Sequence, residues 1–466
     1  MRLSPETLAH LPADVRRPAC DPAARRAGIV HFGIGAFHRA HQAVYTDDAM
    51  NAGERDWGIV GVSLRSASVA GQMNPQDGLY TVAVRAGAGI DYRLIGAVQR
   101  VLVAAQDASS VAEFVAAPST HILTFTITEK GYCRSAHGTL DPALADETSV
   151  YRFLADGLAL RRARGLGGLT LLSCDNLAEN GVQLRRLVSE YLTDRDAALA
   201  DWVEAHCTFP SSMVDRIVPA NTEADLAAAE DALGGLRDLA HVVTEPFSQW
   251  VIEDRFAGPR PSWEDHGAEL VADVRPYETA KLRMLNGAHS LLAYLGLMRG
   301  HEFVHQAIAD PNIRPLAESL MREEAASSIA AAPGQGLDTY ADALIARFSN
   351  SALNHRLIQI AMDGSQKIPQ RWLETLAFRQ QHGRQCPAIL TGLAAWLLHV
   401  RGDLRPVDDP MAARLASAWR EHGESAIVPA IFGAAGPLAC VWLPSRDEVD
   451  LITRSMNQLE QGHGAH

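Results

Sequence analysis

GIVHFGIGAFHRAHQ, residues 28–42, decides the fold. An apolar run ends in Gly33-Ile34-Gly35-Ala36-Phe37-His38. That order of strand, glycine turn and helix start is how a Rossmann fold meets a pyrophosphate. Glycine lets the backbone approach the phosphates, and the N-terminus of the following helix favours their negative charge. The third glycine of a full GxGxxG is absent, because His38 stands there. By itself the motif fits a dinucleotide site or a plain tight turn, and the strand ahead of it favours the first. Gly33, Gly35, Phe37 and His38 are the candidate cofactor contacts, and Arg39 is either a phosphate contact or a surface arginine.

Outward from this stretch, WGIVGVSL (57–64), YRLIGAVQRVLVA (92–104), HILTFTIT (121–128) and LTLLSCDN (169–176) read as further strands. Their near-continuous apolar character belongs to a parallel sheet covered on both faces. Amphipathic stretches such as NGVQLRRLVSEYLT fit between them as helices, which predicts a doubly wound α/β domain. After about Pro276 the chain turns Ala- and Leu-rich with helical periodicity. The expected organisation is a Rossmann-type parallel-sheet domain over 1–275, binding the dinucleotide, and a mostly helical substrate and catalytic domain over 276–466. A length of 466 residues suits two cores better than one. The second strand ends in Ser63-Leu64-Arg65-Ser66, without the acid that grips the adenine ribose of NAD. Arg65 can instead meet a 2′-phosphate or stack on adenine, so NAD against NADP stays open here.

A formal net charge of -13 argues against nucleic-acid or anionic-membrane partners, which call for basic surfaces. The six cysteines, Cys20, Cys133, Cys174, Cys207, Cys386 and Cys440, are scattered without a CxxC pair. They form neither a disulfide framework nor a thiolate metal cluster. No signal-peptide core or bilayer-length apolar run is evident, so the expected location is the cytoplasm.

The sharpest chemical signal is KLRMLNGAH, residues 281–289. On an α-helix turning about 100° per residue, Asn286 lies about 140°, His289 about 80° and Glu278 about 60° from Lys281. Four polar groups thus share one arc of an otherwise apolar segment. They are either an exposed polar face or a catalytic set. In the second case a lysine made less basic by burial or nearby charge takes a hydroxyl proton. Asn286 donates to the alkoxide, His289 orients the same oxygen and Glu278 relays the proton, with no metal needed.

Lys281–Asn286–His289, GIGAFHRAHQ (33–42), SCDNLAENG (173–181), FPSSMVDRIVP (209–219), TITEKGYC (126–133) and ARFSNSALNHRLIQIAMDGSQKIPQR (346–371) together resemble the mannitol dehydrogenase family of polyol-specific long-chain dehydrogenases. The resemblance implies a Rossmann domain followed by a helical domain, with NAD as cofactor, NADP not excluded, and the site in the cleft. It implies Lys281 as general base, Asn176 and Asn286 as the alkoxide site, His289 on the reacting oxygen and Glu278 on a proton path. Asp215 resembles a substrate hydroxyl ligand, and Arg347 lies where further substrate contacts come from.

The implied partner is a small open-chain polyol or aldonate, with no obligatory protein partner. IAMDGSQKIPQR (360–371) looks more like the fructuronate reductase (D-mannonate oxidoreductase) branch than the mannitol branch. Its Lys367 and Arg371 are candidates to hold an aldonate carboxylate. The expected substrates are therefore D-mannonate and D-fructuronate, with D-mannitol and D-fructose, or another polyol, as the alternative. Two remoter readings remain. HEFVH (301–305) fits the HExxH of zinc peptidases, and a copy that lost its chemistry would be a nucleotide-binding protein only.

Overall fold

The computed structural model describes residues 1–19, 25–87 and 89–463, so Cys20 lies outside it. The chain divides into two compact units, Met1–Arg275 and Pro276–His466.

The first unit is built on eleven named strands: β1 (Ala27–Phe32), β2 (Gly58–Ser63), β3 (Tyr80–Ala86), β4 (Gly89–Ile95), β5 (Val98–Val103), β6 (Ile122–Phe125), β7 (Thr170–Ser173), β8 (Ser212–Asp215), β9 (Val242–Thr244), β10 (Gln249–Glu253) and β11 (Glu269–Val271). Five of them form a parallel sheet in the order β5-β2-β1-β6-β7. This is the doubly wound order, in which the chain runs outward from β1 to β5 and then returns to the other side of β1 for β6 and β7. Thr208 adds a single parallel bridge to Thr170 beyond β7. Alternate residues feed two cores. Val30, Phe32, Val60, Leu123 and Leu171 pack on one face, and Ile29, Ile59, Ile122 and Leu172 on the other. That two-sided burial is why these strands are apolar throughout rather than alternating.

The stretch 92–104 is two strands, not the single one its apolar run suggests. β4 pairs antiparallel with β3, whereas β5 pairs parallel with β2 in the main sheet. The chain changes sheets at Gly96. Its N–H donates to Asp47 Oδ1 at 2.7 Å, and a Cβ there would stand 3.0 Å from the Pro18 ring. β3, β4 and β9 form one small sheet, and β8, β10 and β11 another.

The second unit is helical. Its central helices, Gly287–Met298 and Pro387–Val400, are buried on almost every side: only Leu297 of the first, and Pro387 and Thr391 of the second, are not buried. Helices apolar all round belong at the centre of a bundle. Glu324 closes the start of the second, its carboxylate accepting from Ala388 N at 2.7 Å and Ile389 N at 2.9 Å. Those are two of the amide groups that a helix N-terminus leaves without a partner. Three segments, Lys281–Asn286, Leu320–Ala325 and Pro369–Leu373, are π-helical, and the first packs on the other two. No helix among the described residues is long and apolar enough to cross a membrane.

Candidate active site

In the first unit a cavity of about 430 Å³ opens at the carboxyl ends of β1, β2 and β6. Its walls are the segments 33–35, 63–66 and 126–128, completed by Val69, Lys130, Gly131, Cys133 and residues 148–150. Open α/β sheets bind ligands in this position, beside the strand where the order reverses. The two glycines of the turn differ in their reasons. Gly33 has φ +96°, and a Cβ there would stand 2.1 Å from Thr126 O, so packing alone demands glycine. A Cβ at Gly35 would meet only Gly33 O, at 3.8 Å. Nothing in the protein needs that side chain removed, and the space it leaves suits a ligand backbone or phosphate drawn close. The residues present therefore fit a dinucleotide.

The turn is held from below by His31. Its Nδ1 lies 2.8 Å from Thr124 Oγ1, and its Nε2 lies 2.9 Å from Thr126 Oγ1 and 3.1 Å from Gly33 O. Burial pulls the His31 pKa down to about 3, so the ring is neutral. His38 stacks on it with centroids 3.4 Å apart, 1% exposed, and does not line the cavity. Arg39 is turned away as well. Its guanidinium donates to Ala240 O, and its carbonyl accepts from Tyr80 Oη at 2.7 Å. The Phe37 ring stacks on His41 at 5.0 Å. His38 and Arg39, expected as ligands, thus take packing roles, while Phe37 is half-buried. The helix after the turn is only Ala36–Ala40; its His38, Arg39 and Ala40 are buried, and it packs against β9. Arg65, by contrast, lines the cavity and is exposed.

The opposite wall is set by Thr128 and Asp175, to which no sequence motif assigns a role. Thr128 has φ +64°, a strained setting for a β-branched residue. Asp175 holds it there, accepting from Thr128 N at 2.8 Å, Ile127 N at 3.0 Å and Tyr132 Oη at 3.0 Å. Burial raises the Asp175 pKa, and these donors oppose the rise. Asn176 follows directly, in the loop after β7. Asn180 ties that loop to β8, donating to Asp175 O at 2.9 Å and Ser212 O at 2.7 Å. β8 starts at Ser212, whose Oγ donates to Ser173 O at 2.6 Å, and ends in Asp215, which is 7% exposed.

In the second unit, the helix from Arg275 passes into the π-turn Lys281–Asn286 and continues as Gly287–Met298. Each i→i+5 turn takes one residue more than an α-turn would hold in the same register. Asn286 therefore comes round nearly in line with Lys281, closer than the α-helical angle expected from the sequence. Widening the turn frees carbonyls at its end, and a half-buried arginine and a buried tryptophan take them. Arg371 Nη1 donates to Asn286 O at 3.2 Å and to Ser290 Oγ at 2.8 Å, and Trp372 Nε1 donates to Gly287 O at 3.1 Å.

His289 sits one turn on, against Phe348 at 4.8 Å and His355 at 5.3 Å between ring centroids. Burial first, then the charges of His355, Arg347 and Arg371, hold its pKa well below the ordinary value. It is a neutral ring with one donor and one acceptor. Arg347, 8% exposed at the end of the helix Leu337–Phe348, stands within electrostatic reach of both histidines. Lys367 is directed elsewhere: its Nζ donates to Met362 O at 2.6 Å and to Ile360 O at 3.4 Å. Arg371 is likewise occupied with the turn, so neither candidate for a substrate carboxylate is placed purely for that task. Nothing in the sequence spacing of His355 marks it as part of this cluster.

The HExxH segment does not have the geometry a zinc peptidase needs. Helix begins only at Val304, His301 Nε2 pairs with Asp310 at 3.0 Å and Glu302 pairs with Arg356 at 2.6 Å. His305 instead stacks on Phe303 at 5.6 Å.

Comparison with known proteins agrees with this division. The sequence profile of the mannitol dehydrogenase Rossmann domain matches residues 27–265, and that of the mannitol dehydrogenase C-terminal domain matches residues 273–428. The D-mannonate oxidoreductase of Escherichia coli (strain K12) is 39% identical over 465 residues, 96% of each chain. The ternary complex of Pseudomonas fluorescens mannitol 2-dehydrogenase with NAD and D-mannitol is 34% identical, with a TM-score of 0.78 over 100% of this chain and 98% of that one. A substrate-free D-sorbitol dehydrogenase is 31% identical, with a TM-score of 0.90 over 100% and 99%. The chain belongs to the mannitol dehydrogenase family of oxidoreductases.

Proposed function

We propose that the chain interconverts a secondary alcohol and a ketone on an open-chain aldonate, D-mannonate and D-fructuronate being the pair, with NAD as its cofactor. The observation that carries this reading is the 39% identity, spread over 96% of both chains, to a D-mannonate oxidoreductase. NAD, when bound, supplies the hydride acceptor. Gly33 and Gly35 hold the backbone open to its phosphates. In the second unit Lys281 takes the hydroxyl proton, and the Asn286 amide donates to the oxygen as negative charge develops there. The neutral His289 ring orients that oxygen, and Glu278, within one turn of Lys281, passes the proton outward. Arg347 is the better candidate for a carboxylate at the far end of the substrate, because its fork matches a carboxylate in two places. The alternative, D-mannitol with D-fructose, has its support in the 34% identity to a mannitol 2-dehydrogenase.

Initial rates on D-mannonate, D-altronate, D-mannitol, D-sorbitol and D-arabinitol, followed at the reduced-nicotinamide band, test the reading. D-Mannonate is expected to turn over fastest. Rapid oxidation of D-mannitol with none of D-mannonate would replace the substrate and leave the reaction class standing. No turnover on any of the five would overturn the proposal.

A further inference from the structure

The turn Lys281–Asn286 holds one surplus residue that the chain has no means to discard. The surplus can travel, however. Exchanging an i→i+5 bond for an i→i+4 bond moves the wide turn along the helix by one residue. Every residue it passes is carried round by about 100°. Lys281 therefore comes into line with Asn286 only while the surplus stays between them, and something has to hold it there.

Two holds lie at the C-terminal end, where Arg371 and Trp372 take the Asn286 and Gly287 carbonyls. A third lies inside the turn. Arg283 Nη1 donates to Ser328 O at 2.7 Å and to Ser328 Oγ at 3.0 Å, and its Nη2 donates to the Glu374 carboxylate at 2.9 Å. The Arg283 side chain is 15% exposed, and its Nε is buried without a hydrogen-bond partner among the described residues, so the hold comes through the two outer nitrogens.

Both partners stand at the exits of the other two π-segments. Ser328 lies just past Leu320–Ala325, and its Oγ donates onward to Ala325 O at 2.7 Å, the carbonyl of the last residue in that segment. Glu374 follows directly on Pro369–Leu373. One guanidinium thus ties the middle of the first π-turn to the ends of the two segments it packs on. The arginine inside the second segment makes a contrast. Arg322 pairs with Asp338 and Asp342 of the helix Leu337–Phe348, outside the three segments.

We infer that Arg283 is a positioning residue: it pins the surplus residue between Lys281 and Asn286 and so keeps the lysine and the amide in line for proton transfer. It acts through the backbone of the turn and through no bond to the reacting oxygen. This rests on the reading of Lys281 as the base.

The full chain carrying Arg283→Met, Arg283→Lys or Arg322→Met is compared with the native chain, each rate taken per dinucleotide-binding site so that unfolded protein is not counted. For Arg283→Met, kcat should fall roughly 10–100-fold, the effect of misplacing a proton acceptor by about an ångström, while KM and the dinucleotide Kd stay within about twofold. Arg283→Lys keeps a charged donor without the fork, so it should recover part of the loss. It also carries the test where the methionine variant does not fold. Arg322→Met should behave as native. Amide hydrogen exchange reads the same device without turnover: in both Arg283 variants the amides of 281–288 should exchange faster by about tenfold or more, while Pro387–Val400 keeps its native rates. Arg283 variants that turn over within about twofold of native, an Arg283→Lys no faster than Arg283→Met, or exchange that quickens evenly across the helical unit overturns the positioning role and leaves the dehydrogenase reading intact. A native chain that oxidises no polyol or aldonate overturns both.

Discussion

Arg371→Met separates two readings of one half-buried cation. Methionine keeps much of the stem and removes the head that donates to Asn286 O and Ser290 Oγ. Hydrogen bonds from a charged donor are worth about 1.5–3 kcal/mol each, so the gross loss is on the order of 3–6 kcal/mol. Against this, burial has pulled the guanidinium pKa down to about 10 from 12.5. At about 1.4 kcal/mol per unit, removing that strained charge returns at most about 3 kcal/mol. The side chain is partly exposed, so solvent screening trims the return further. The net cost is a few kcal/mol, and the protein should still fold. What changes is the π-turn, whose end loses the partner of its Asn286 carbonyl. Turnover should then fall roughly 10–100-fold on D-mannonate and D-mannitol alike, with KM moving little, because an interaction made in the transition state is lost. Lys367→Met, which removes only bonds to the 360–362 carbonyls, serves as the control. A KM that rises for the aldonate alone, with turnover preserved, would refute the positioning role and make Arg371 a carboxylate ligand.

Lys281→Ala should lower turnover roughly 10²–10⁴-fold or more while dinucleotide affinity stays near native, and near-native rates at neutral pH would remove the lysine as base. Asp175→Asn sets an amide where three donors converge, so dinucleotide affinity should weaken with a stability loss of about 1–3 kcal/mol; unchanged titrations would show that the Thr128 wall is indifferent to it. Burial pushes the Glu324 pKa up to about 7 from 4.5. Its contribution to stability is full below about pH 4.5 and is lost as pH rises to about 7, a change of about 3 kcal/mol. In thermal unfolding the native chain should therefore lose more stability between pH 5 and pH 8 than Glu324→Gln does, and parallel curves would contradict the assignment.

The parallel sheet was legible because burial on both faces leaves continuous apolar runs, as at 28–32 and 169–173. Two strands laid end to end give the same pattern as one long one, so the break at Gly96 was hidden. β8 to β11 hold three to five residues each, too few for any periodicity to register. His38 and Arg39 have the chemistry of phosphate ligands, and only the inward course of a five-residue helix assigns them to packing. In the second unit Lys281, Asn286 and His289 could be picked out as an arc, but the π-turn could not. A change of one residue in hydrogen-bond register leaves the spacing of Met284, Leu285, Leu291 and Leu292 as apolar as before.

That π-turn also bears on reading other chains. A π-turn is an α-helix carrying one surplus residue, so deleting any one position between 281 and 286 can restore a regular helix. The helix on either side would keep its register, because the surplus residue is what the wide turn absorbs. Inside the turn, positions 281 and 286 would no longer face each other, while the helix itself lost nothing in hydrogen bonding. A single-codon gap at this place should mark copies of this fold that keep their architecture and have lost the ability to align a lysine with an amide.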